Sequence, residues 1–82
     1  MPDDRPDFPL ENLRAAVPGN PGAQAEIDAL HRELAAERPA SAKIKAHVES
    51  LQKHAPLSTL VANWFEDPRT QTFIQELTAA GL

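Results

Sequence analysis

Prolines divide this chain more firmly than any other residue type. Pro9, Pro21, Pro56 and Pro68 each open a segment with helical hydrophobic spacing. At the first turn of a helix a missing N–H breaks no hydrogen bond and a fixed φ is already correct. Pro18 and Pro39 each follow such a segment, where the ring prevents the helix from continuing. This punctuation predicts about five short helices, near 9–17, 21–38, 42–54, 56–66 and 68–80. No alternating apolar run, β-branched cluster or Asn-Gly pair argues for a strand. The expected fold is all-α: a compact bundle with a central antiparallel helical hairpin.

Apolar spacing supplies each helix with an inward face. Leu10, Leu13 and Val17 line the first. Ala23, Ile27, Leu30 and Leu34 form a narrow, alanine-flanked seam on the second, a surface suited to close helix–helix contact. Ile44, Val48 and Leu51 line the third, while Lys45, Glu49 and Lys53 form a four-residue ladder on its far side. The fourth is the most apolar, with Leu57, Leu60, Val61, Trp64 and Phe65. Phe73, Ile74 and Leu77 line the fifth. Asn20, Ser41 and Asp67 stand where N-caps belong, and Gly81 stands where a helix stops.

The second helix is acidic through Glu26, Asp28, Glu33 and Glu37, and the third is basic through Lys43, Lys45 and Lys53. Opposite charge on consecutive helices favours their antiparallel pairing. His31 and His47 are placed to face each other across that hairpin.

With 82 residues the chain supports one domain, expected over residues 8–82, preceded by an acidic, proline-rich disordered tail at 1–7. A domain of this size buries only about 60% of its unfolded surface. The absence of cysteine removes disulfides and thiolate metal sites as sources of added stability. Good packing or self-association is left. No segment has the apolar length of a signal sequence or membrane helix, which with the missing cysteines points to the cytoplasm. A net charge of −4 argues against phosphate backbones and anionic lipid as partners.

The residues capable of chemistry are sparse. His31, His47 and His54 do not form the paired spacing that supplies two metal ligands from adjacent turns. Ser58 and Thr59 lie near His54, but hydroxyls at a helix start ordinarily serve backbone N–H groups. Neither a catalytic centre nor a cofactor, metal or small-molecule site is expected. Trp64 and Phe65 are adjacent on one helix and project about 100° apart, so a small core need not bury both. An exposed aromatic of this kind is a typical energetic anchor at a protein interface.

Between Ala25 and Leu60, Glu26, Leu30, Glu33 and Leu34 followed by Ile44, Lys45, Val48 and Leu51 resemble a helical hairpin of bacterial conflict and immunity systems. In those systems it serves as a short accessory module. The segment FEDPRTQTFIQEL resembles the last helices of effector-associated domains more loosely. The resemblance implies helical association, homotypic or heterotypic, that recruits or holds an effector without catalysis. No effector is fused within this sequence, so a related role would be that of a separate adaptor or regulatory subunit.

The function expected from the sequence is therefore a non-catalytic protein–protein interaction module, binding another protein, itself, or both. Ile27, Leu30, Leu34, Leu60, Trp64 and Phe65 are the candidate partner-binding residues. The alternative is a small helix-turn-helix or antitoxin-like regulator. For that, only the third helix offers cations, and it lacks the arginine that a recognition helix commonly directs at bases.

Overall fold

The computed structural model describes residues 7–82. They form α1 (Leu10–Ala16), α2 (Pro21–Ala35), α3 (Ser41–Gln52), α4 (Ala55–Glu66) and α5 (Pro68–Ala79), with no strand among the described residues. The chain is an all-α bundle, as the proline punctuation predicts. Except for Asp7, the segment expected to be a disordered tail lies outside the described residues.

Local chemistry accounts for the starts of α2 and α5 and the end of α5. The Asn20 side-chain oxygen accepts the Ala23 N–H at 3.0 Å, and Pro21 follows as the first residue of α2. Asp67 repeats the device at α5, accepting the Arg69 N–H at 2.9 Å ahead of Pro68. The end of α5 is a paired closure of orphan carbonyls. Gly81 turns to φ 81°, its N–H reaches the Thr78 carbonyl at 3.1 Å, and the Leu82 N–H reaches that of Leu77 at 2.8 Å. Leu82 then packs back on the core.

Several boundaries depart from expectation: α3 stops at Gln52 and not His54, α4 starts one residue before Pro56, and two further cases have a clear cause. α2 stops at Ala35, short of Arg38, because Ala36 is already extended at ψ 153°. Arg38 precedes Pro39, which disfavours the helical region for it, so the chain leaves the helix earlier than its hydrophobic pattern indicates. Ser41 does not cap α3. Ala40 holds the N-cap position, and Ser41 is the first helical residue, 9% exposed. Its N–H donates to the Leu82 carbonyl at 3.0 Å, and its hydroxyl accepts from Thr78 at 3.3 Å. The close of α5 is thereby tied to the start of α3.

α2 and α3 form the antiparallel hairpin. Glu33 accepts the Ala40 N–H at 2.9 Å, Glu26 pairs with His47, and Asn20 meets His54 at 3.5 Å. Each step back along α2 is matched by a step forward along α3. The lysines expected to carry this pairing do not: Lys43, Lys45 and Lys53 are exposed. Among the described residues the pair of fixed charges is Arg14–Asp28, and His47 and Glu26 make a hydrogen-bonded contact.

At seven residues, α1 is too short to be stable alone. Leu13 is fully buried, and the Gln24 amide on α2 donates to the Arg14 and Val17 carbonyls at 3.2 and 2.9 Å. One side chain from a neighbouring helix thus adds to the main-chain closure of α1, in which the Val17 and Asn20 N–H groups donate to the same two carbonyls at 3.2 Å. Arg14 adds a second tie, 2.9 Å from Asp28. The core between the helices is mostly aliphatic, with Ile27, Leu30, Ile44, Leu51, Leu57 and Val61 all at 0% exposure and Trp64 and Phe73 at its margin.

Candidate protein-interaction site

The six residues expected to bind a partner separate into three environments. Ile27 and Leu30 are fully buried, and Leu34 and Trp64 are 6% and 7% exposed. These four have almost no surface to offer a partner of the folded chain. The alanine-flanked seam of α2 is spent inside the bundle. Phe65 is half-buried and leans on the core. Leu60, at 38%, is the exposed large hydrophobic among the described residues. It stands one turn ahead of Trp64, and residues four apart share a helix face.

Trp64 is covered from an unexpected direction. Ahead of α1, Phe8 packs against the bundle. The Phe8 ring lies between two others. It stacks on His31 of α2 at 5.9 Å with planes 21° apart, and meets Trp64 of α4 in a T-shape at 5.2 Å and 81°. The main-chain hydrogen bonds around it stay local: the Phe8 carbonyl accepts from Leu10 and that of Pro9 from Leu13. Among the described residues ahead of α1, Phe8 is held to the bundle by its side chain.

Beside this aromatic slot lies a cavity of about 180 Å³ lined by Asp7, Trp64, Asp67, Arg69 and Thr70. Trp64 Nε1 and Thr70 Oγ1 are buried without a hydrogen-bond partner. A buried polar atom left unpaired costs about 1–3 kcal/mol. Both belong to residues that line the same cavity, which makes this the least satisfied part of the bundle. A larger, open cleft of about 500 Å³ runs over the α1–α2 turn, lined by residues such as Pro18, Pro21, Gln24 and Asp28. There the polar side chains already have work: Gln24 closes α1 and Asp28 holds Arg14.

The histidines are dispersed. His47 pairs with Glu26, His31 stacks on Phe8, and His54 meets Asn20. His31 and His47 do not face each other as expected, because each is claimed by a different neighbour. Ser58 and Thr59 are exposed in the first turns of α4, while the His54 ring nitrogen is directed at Asn20. No helix of the described residues is long and apolar enough to cross a membrane.

The sequence pointed to Trp64, placed His31 opposite His47 instead of against an aromatic ring, and missed Phe8 and Thr70. Phe8 lies outside any helical stripe, so hydrophobic periodicity could not register it. No family model, curated protein or solved structure matches this chain.

Proposed function

We propose that this chain is a non-catalytic protein–protein interaction module that docks its partner at the aromatic slot and along the adjoining face of α4. The observation supporting this is the seating of Phe8. A non-helical segment is held to the bundle by one aromatic side chain, between His31 and Trp64, as a docked peptide would be. Leu60 extends the apolar surface one turn along α4, and Phe65 stands beside it, half-buried. An adaptor or regulatory subunit, of the kind found in bacterial conflict systems, is the role in keeping with such a surface. Self-association through the same face is the homotypic form of this reading.

The test is positional cross-linking. A photo-activatable residue placed at 60 or 65, in the organism of origin, should give discrete adducts, whereas the same residue at 45 or 49 on the outer face of α3 should not. Adducts of equal yield at all four positions, or at none, would refute the reading.

A further inference from the structure

Phe8 fills the slot incompletely. Its ring occupies the space between His31 and Trp64, but it has no polar atom to offer Trp64 Nε1–H or Thr70 Oγ1–H, which are buried and unpaired on residues of the neighbouring cavity. The cavity lined by those two residues, with Asp7, Asp67 and Arg69, is about 180 Å³. At about 30 Å³ per water in the liquid, this is room for about six non-hydrogen atoms. Indole N–H and hydroxyl groups in this position call for an acceptor oxygen. A strongly anionic group is disfavoured, since two carboxylates and one guanidinium line the space.

We infer that the slot is a recognition site for a partner peptide bearing an aromatic side chain, with Phe8 as its internal competitor. The partner's ring takes the place of Phe8 between His31 and Trp64. An oxygen of the same peptide, either the phenol of a tyrosine or a main-chain carbonyl, enters the cavity and accepts from Trp64 Nε1–H and Thr70 Oγ1–H. Displacing Asp7–Phe8 opens the way to both atoms. This competition gives the module a closed state, with Phe8 seated, and an open state that the partner captures. The inference rests on the interaction reading above and names the chemistry of its partner.

Trp64 is the one tryptophan of the chain, so its indole N–H resonance and its fluorescence report this site alone. The probes are the acetylated, amidated tetrapeptide Asp-Phe-Pro-Leu, which copies residues 7–10, and the same peptide with tyrosine or alanine replacing phenylalanine. They are titrated into the full chain and into Phe8→Ala, with Phe8→Leu as a second variant that keeps apolar bulk without a ring. Aromatic peptides should shift the indole resonance and bind either variant at least tenfold more tightly than the unaltered chain. The alanine peptide should not bind.

A tenfold preference for tyrosine over phenylalanine identifies the phenol as the oxygen source, and equal affinity identifies the main-chain carbonyl. Thr70→Val, combined with Phe8→Leu, should weaken the better peptide about fivefold. An unmoved indole resonance in both folded Phe8 variants, equal affinity for the alanine peptide, or indifference to Thr70→Val would each overturn the inference. If the peptides fail while cross-links at positions 60 and 65 persist, only this inference falls. If both fail, the interaction reading falls with it.

Discussion

The Gln24 side chain, on the second helix, closes the end of the first by donating its amide to the Arg14 and Val17 carbonyls. This contact joins elements that share no sequence motif, and it stabilises a helix too short to stand alone. Gln24→Ala leaves both carbonyls without that donor and should lower stability by about 1 kcal/mol. Urea unfolding followed by circular dichroism measures it. No change in the midpoint would mean that solvent replaces the amide at no cost.

Thr70→Val should act in the opposite direction. The Thr70 side chain is 1% exposed and its hydroxyl is unpartnered. Valine has nearly the same shape and no polar atom, so the exchange removes a desolvation cost and should raise stability by about 1 kcal/mol. The same unfolding experiment reads it. A destabilised variant would indicate that the hydroxyl has an internal partner.

His47 and Glu26 link α3 to α2 with side chains about one-quarter exposed, at 25% and 28%. A double-mutant cycle of His47→Ala and Glu26→Ala should return a coupling of about 0.5–1 kcal/mol, since partial exposure screens the pair. Zero coupling would assign the hairpin register to apolar packing alone.

Leu30 and Leu60 are both leucines of the predicted interaction set, and they should behave differently. Leu30→Ala empties a fully buried position and should cost about 2–5 kcal/mol. Leu60→Lys alters a residue that is 38% exposed, so it should change stability by less than about 0.5 kcal/mol. Its effect should fall instead on the yield of partner cross-links from position 65. Loss of stability in Leu60→Lys comparable to that in Leu30→Ala would place Leu60 in the core.

These contrasts show which parts of the molecule a linear reading reaches. Helix number and three of the caps follow from Pro21, Pro68, Asn20, Asp67 and Gly81, because capping is decided within a few residues. The core stripes follow from periodicity. Periodicity cannot distinguish an apolar face covered by the chain itself from one kept for a partner, so Ile27, Leu30 and Leu34 were expected at an interface and lie in the core. The choice of neighbours for His31 and His47 depends on tertiary register. So does the capture of Phe8, which carries no helical signal of its own.

The claim that this chain works by docking a partner at the Phe8–Trp64 region is tested most directly by mapping that contact on the labelled protein. Backbone and indole amide resonances are compared with and without the protein captured by cross-linking from position 60. The account predicts that the changes gather on Phe8, His31, Leu60, Trp64 and Phe65, with those of Lys45 and Glu49 unmoved. Changes centred on the outer face of α3, or resonances that stay fixed throughout, would contradict it.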